Sequence, residues 1–210
     1  MTGRLSWEIR ERASSEWASA IDHRLFREVI ADTVTDSHFE RYLRIEFAFI
    51  DTAAVALGAA VRAAPDLADR VVLAAGLYDL LTSQVDFFKH ALGQDESTIV
   101  PASAQSLHSV FHEVADGQSY ADMLAAMLAA EWLYMTWCAP TVEQPSARAR
   151  IRVWTELHTS PTFISHATWL QRRFDAASVD LSPVERERVA DVFRRALAAE
   201  ISFHDSVFEE

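Results

Sequence analysis

The sequence predicts an all-α protein, a helical bundle of about eight helices in a single domain, 1–210. Three observations carry this expectation. Apolar residues recur at spacings of three and four, as in Phe39, Leu43, Phe47 and Ile50, and again in Val189, Val192, Phe193 and Leu197. No stretch alternates with period two for long, and β-branched residues do not cluster. Serine and proline then punctuate the chain where helices should begin.

Taken in order, the helices are expected at roughly 3–19, 23–32, 37–63, 67–92, 102–115, 120–138, 146–158 and 161–177, with a long last one at 183–208. Pro65 and Pro101 separate the third, fourth and fifth. Ser119-Tyr120-Ala121-Asp122 is a weak start signal for the helix that follows. Ser160-Pro161 is a stronger one, with a capping hydroxyl and a proline at the first helical position. Ser182-Pro183-Val184-Glu185 adds the glutamate of a capping box. The stretch 53–64 is small and apolar almost all round, with Arg62 its single charge, which suits the middle of a bundle or a subunit interface.

Composition narrows the functional classes. The chain has 210 residues, half of them apolar, with five glycines and six tryptophans, as in a compact globular protein. Its formal net charge of −12 disfavours nucleic acid and anionic membrane surfaces. Cys138 is the one cysteine, so no intramolecular disulfide forms and a reducing compartment is expected. No apolar leader is visible at the N-terminus, and no run approaches the ~18 apolar residues of a membrane span. A cytoplasmic protein without a membrane segment is the expectation.

One helix raises a chemical question. Residues 124–137, LAAMLAAEWLYMTW, read as buried, yet contain Glu131. A carboxylate in such company is costly unless paired. The expectation is a scaffold acid, paired with an arginine or capping a neighbouring helix. Glu200, beside Ala198, Ala199 and Ile201, and Glu46, between Ile45 and Phe47, are two more acids in apolar surroundings. Burial would bring Glu200 toward a pKa useful for proton transfer. Glu46 could accept N–H bonds from an amino-heterocycle, with rings stacking beside it.

Five segments in order resemble the TenA (thiaminase II) family, a group with the haem-oxygenase-like fold that also includes PqqC. They are Leu5–Trp17, with its two tryptophans; His23-Arg24-Leu25-Phe26; Phe39 to Phe49, resembling "FxxYLxQDYxY"; Met127 to Tyr134, resembling "LLPCEWxY"; and Ala199 to Asp205, resembling "YExxFWD". The resemblance covers essentially the whole chain. It implies a homo-oligomer, a tetramer or dimer, that cleaves a C–N bond on an aminopyrimidine.

The same resemblance assigns site residues one by one. The family's nucleophilic cysteine falls on Ala130, so the chain resembles a divergent member without that thiol. The aspartate that holds the aminopyrimidine falls on Glu46, its neighbouring aromatic on Phe49, and the tyrosine after the tryptophan on Tyr134. Two further pocket tyrosines fall on Leu107 and His158, and the glutamate of the last helix is Glu200. The implied catalytic carboxyls are thus Glu200 and Glu46, with Tyr134, Phe49, His158, Leu107 and Ala130 around the substrate. Cys138 lies eight residues beyond Ala130, ~12 Å along a helix axis, and cannot replace the thiol.

No cofactor is implied. The competing expectations keep the fold but give it different chemistry in specialised metabolism, with or without a di-iron site, or make it a non-catalytic member that binds a small molecule or a partner protein. Glu200 and His204 have the i,i+4 spacing of two ligands on one helix face. Asp86 and His90 would supply the second pair, with Asp205 or Glu46 contributing.

Overall fold

A computed structural model describes residues 4–93 and 97–209; residue 3, where the first helix was expected to start, lies outside them. Among the described residues there are eleven α-helices and no strand. They are α1 (Leu5–Arg12), α2 (Ser14–Ile21), α3 (Arg24–Ile30), α4 (Asp36–Ala63), α5 (Leu67–Asp79), α6 (Val85–Leu92), α7 (Gln105–Gly117), α8 (Tyr120–Cys138), α9 (Ala149–Thr159), α10 (Pro161–Ala177) and α11 (Pro183–Asp205). Short 3₁₀ turns precede α7 and follow α8 and α11.

Eleven helices replace the nine expected intervals because two of those intervals, 3–19 and 67–92, are each divided. The first breaks at Ala13, where the backbone leaves helical geometry (φ −96°, ψ 26°) between α1 and α2. The stretch 67–92 stays helical throughout, but Leu80–Gln84 widens into a π turn between α5 and α6. Such turns displace a helix face and recur at functional sites.

The capping signals work as expected. Ser182 accepts from the Glu185 amide at 3.3 Å while Glu185 accepts from the Ser182 amide at 2.8 Å, closing the capping box of α11. Ser160 and Ser119 cap α10 and α8 by the same kind of bond.

Helix α8 is the axis of the bundle, packed against α2, α4, α7, α9, α10 and α11. That is why it is apolar on every side. Its buried run is interrupted at Ala130 and Glu131, which are only half-buried. Near them Arg10 lies over the rings of Trp7, Trp17 and Trp132 at 4.5, 5.2 and 5.1 Å, a cation–π cluster tying α1 and α2 onto α8.

One expectation about membranes is modified. Leu67–Leu92 is long and apolar enough to cross a membrane by length and composition, at mean hydropathy 1.3. Asp69, Arg70, Asp79, Asp86 and Lys89 interrupt it, and Asp69 pairs with Arg173 of α10.

Candidate active site

Four helices converge on one buried polar cluster. On α4, Tyr42, Glu46 and Phe49 follow at i, i+4 and i+7 and so share a face. Glu131 and Tyr134 come from α8, Trp154 and His158 from α9, and Glu200 and His204 from α11. Glu46, Tyr134, His158 and Glu200 stand near one another here, and of the seven expected site residues His158 is the one that lines the cleft beside them.

The Tyr134 hydroxyl is the hub. It hydrogen-bonds the Glu46 carboxyl, lies 2.9 Å from the Tyr42 hydroxyl, and lies 3.1 Å from His204 Nε2. Tyr42 in turn accepts from the Trp154 indole N–H at 3.2 Å. Phe26 forms the floor beneath: its ring stacks on Trp137 at 4.2 Å and 6° and meets the His204 ring edge-on at 4.6 Å. Phe49 packs edge-on against Phe203, His108 and Phe111. Leu107 is buried in the core.

Three carboxyls feel one another here. Burial first of all raises Glu46 to about 7, against the hydrogen bonds of Tyr134 and Tyr42. Burial and then the Glu46 charge raise Glu131 to about 7. Glu200, only 2% exposed, is pushed well above the ordinary carboxylate range by burial, then by Glu46 and Glu131. Like charges so placed cannot all ionise at neutral pH. Glu200 stays protonated, while Glu46 and Glu131 change charge near neutrality.

Beside this cluster opens a cleft of about 830 Å³. Val72, Leu80, Phe163 and Trp169 are among its apolar walls, Asp79 and Arg172 stand at its exposed rim, and Glu131 and His158 lie at its buried end. The π turn contributes Leu80, Ser83 and Gln84 to one wall. In the same wall α5 approaches α10 closely: a Cβ on Gly76 would stand 3.1 Å from the His166 ring.

His158 is a fixed acceptor. Burial lowers it to about 4, so its ring is neutral at physiological pH. Nδ1 lies 2.9 Å from the Trp154 carbonyl, which can only accept, so Nδ1 carries the proton and Nε2 a lone pair. Its ring lies 4.8 Å from Tyr134 and 4.9 Å from Phe163, joining the hydroxyl network to the cleft.

Two expectations need correction. Glu131 was expected to pair with an arginine or cap a helix, yet among the described residues it has no ion-pair partner and faces the cleft. An acid on an apolar helix needs no partner where a cavity reaches it. The second metal pair of the di-iron alternative is not assembled: Asp86 and His90 are exposed on α6, whereas Glu200 and His204 are buried. Among the described residues no group of three or more His, Cys, Asp or Glu side chains is placed to hold a metal.

Tyr42 and Trp154 join the site without any marked sequence signal of their own. Only their spacing, one turn before Glu46 and one before His158, could have flagged them. Cys138 is buried, its thiol pushed up by burial and then Glu46.

An all-helical bundle that gathers carboxyls from three helices beside a ligand-sized cleft defines a small-molecule site. The chain belongs to the TENA/THI-4/PQQC family, whose sequence profile matches residues 10–210. No curated protein matches it. Its fold is that of a TenA homologue from Pyrococcus furiosus, at a TM-score of 0.88 and 19% identity, covering 97% of this chain and 99% of that one. A TenA family transcription regulator from Silicibacter is similar at 0.88 and 16% identity, covering 99% and 98%. A Sulfolobus solfataricus chain described as a TenA-like thiaminase is similar at 0.78 and 12%, covering 99% and 97%.

Proposed function

We propose that the chain is a TenA-like enzyme that hydrolyses a C–N bond on a small amino-substituted heteroaromatic, an aminopyrimidine or a related ring. The observation that carries this reading is the buried end of the cleft. An ionised Glu131 and the Nε2 lone pair of His158 are both acceptors, so they select a ligand that donates N–H bonds. Phe163 and the cleft's other apolar walls suit a planar ring. The volume of about 830 Å³ accommodates a ring carrying a substituent that extends toward the mouth.

In this reading the carboxyls divide the proton work. Glu46 and Glu131 both titrate at about 7, and the base role is assigned to Glu131 because it lines the cleft. In the form where Glu131 is ionised and Glu46 protonated, Glu131 takes a proton from water as the water oxygen attacks the carbon bearing the departing nitrogen. That C–N bond breaks, and the protonated member, Glu46, gives its proton to the nitrogen. An amine or ammonia and an alcohol leave, and the proton held by Glu131 resets the pair. Glu200 is the member that stays protonated behind them. Phe163 and Trp169 hold the ring in the cleft, while Tyr134 stands behind its buried end and fixes Glu46 by a hydrogen bond. No cofactor enters.

The test is incubation of the purified protein with aminomethyl-pyrimidine, thiamin and a panel of amino-heteroaromatics, with products followed by mass spectrometry. Amine release is expected from at least one ring, and His158→Phe should raise KM about tenfold or more by removing an acceptor. No turnover across the panel, with no ligand retained, would sink the proposal.

We further propose that the protein is a cytoplasmic homo-oligomer, a tetramer or dimer. Leu67, Val71 and Tyr78 of α5 are 73%, 60% and 71% exposed, an apolar stripe that a second copy would cover. Light scattering at micromolar concentration should give a multiple of 23.6 kDa, and a monomer there would refute it.

A further inference from the structure

The Tyr134 hydroxyl has three partners and only one proton to give. When Glu46 is ionised, that proton goes to the carboxylate. When Glu46 is protonated the bond reverses: the carboxyl O–H donates to Tyr134, and the phenolic proton must find another acceptor. Tyr42, at 2.9 Å, is the weaker choice: its phenol oxygen already accepts from Trp154 and is a poorer acceptor than an imidazole nitrogen. His204 Nε2, at 3.1 Å, is the remaining partner. Nε2 faces Tyr134, so the hydrogen bond of the ring to the Glu200 main chain falls to Nδ1, and Nε2 of the neutral ring is a lone pair with no proton.

We infer that His204 directs the Tyr134 proton and thereby keeps Glu46 as the acid of the site. Ionising Glu46 pulls the phenolic proton away from His204 and leaves Nε2 a buried acceptor without a donor. The nearest alternative donor, Glu200 Oε2, lies 3.8 Å away, too far for a hydrogen bond. An acceptor orphaned at 1% exposure is costly, and that cost resists the ionisation of Glu46. That this proton reaches a substrate rests on the hydrolase reading; the control of Glu46 by His204 does not.

The surroundings leave His204 neutral throughout. The titratable groups around the network are Tyr42 and Glu46 on α4, Glu131, Tyr134 and Cys138 on α8, His158 on α9 and Glu200 on α11. His23, ahead of α3, has its ring centroid 5.5 Å from that of His204. Its Nδ1 accepts from the Leu25 amide, so Nε2–H donates to Asp205 at the surface. Burial, then His23, holds His204 well below the ordinary imidazole range. Replacing it therefore removes no charge.

The experiment is a ¹³C NMR titration of side-chain carboxyls in the ligand-free protein labelled at glutamate, with the Glu46 signal assigned by its loss in Glu46→Gln. In His204→Phe, Tyr134 donates to Glu46 at no cost, and Glu46 should titrate about one pH unit lower than in wild type. His204→Gln, whose amide oxygen accepts, should restore the wild-type midpoint. A purely structural effect of the less polar Phe would move Glu46 upward instead. Should His204→Phe fail to fold, Tyr134→Phe serves: with the bridge gone, His204→Gln and His204→Leu in that background should give the same Glu46 midpoint. An unchanged or raised midpoint in His204→Phe would overturn the inference, as would a fall in His204→Gln equal to that in His204→Phe. Different midpoints in the Tyr134→Phe background would overturn it too. These readings need no substrate, so they stand or fall apart from the hydrolase proposal.

Discussion

Glu131→Gln is expected to make the protein more stable at pH 8 while lowering turnover by about 10²- to 10⁴-fold, the usual loss with a general acid or base. Folding raises Glu131 from the ordinary carboxyl value to about 7, so the native state holds its proton more tightly than the unfolded chain. Stability from this group is full below pH ~4.5 and lost as pH rises to about 7. Above that, the native state carries a poorly solvated charge that costs roughly 3 kcal/mol by the free-energy equivalent of a pKa unit. Glutamine removes the charge, so the melting temperature at pH 8 should rise by several degrees, at about 2–4 °C per kcal/mol. At pH 4.5 the gain should vanish.

His158 works in the opposite direction. Its folded pKa of about 4 lies below that of an unfolded histidine, so its stability is present above pH ~6.5 and lost as pH falls to about 4. The two trends partly cancel in the wild type, and the difference between Glu131→Gln and wild type isolates the carboxyl. Equal melting temperatures at pH 8, with turnover unchanged, would mean that Glu131 is neither desolvated nor part of the chemistry.

The sequence shows a great deal of this fold and only part of the site. Helix positions follow from apolar spacing, and α10 and α11 begin where Ser160 and Ser182 cap them. The break at Ala13 was hidden because alanine carries no stop signal. The π turn was hidden because Leu80–Gln84 contains neither proline nor glycine. Glu46, Tyr134 and Glu200 could be singled out by residue type and family resemblance. The role of Glu131 could not, since sequence shows that α8 is buried but not which neighbour leaves a space beside it. That space depends on how α5 and α10 pack. His204 was noticed only for its spacing from Glu200. Its contact with Tyr134 joins residues 70 positions apart, a pairing that no local pattern encodes.

Phe26→Ala is expected to be the most destabilising single change at the site. The side chain is fully buried, stacked on Trp137 and set edge-on to His204 and Tyr134. Its removal loses the transfer energy of a phenyl ring and leaves a cavity, together about 3–5 kcal/mol. For a chain of this length that is on the order of 10 °C in melting temperature. The cavity opens under two members of the hydrogen-bond network, so Tyr134 and His204 lose the surface that holds their oxygen and nitrogen 3.1 Å apart. Turnover should therefore fall even at temperatures where the variant is fully folded. Phe26→Leu keeps most of the volume but not the flat face, so it should cost less stability while still loosening the network. Thermal melts combined with turnover at 15 °C separate the two effects. A loss under about 1 kcal/mol in Phe26→Ala would show that the ring is not the support the packing describes.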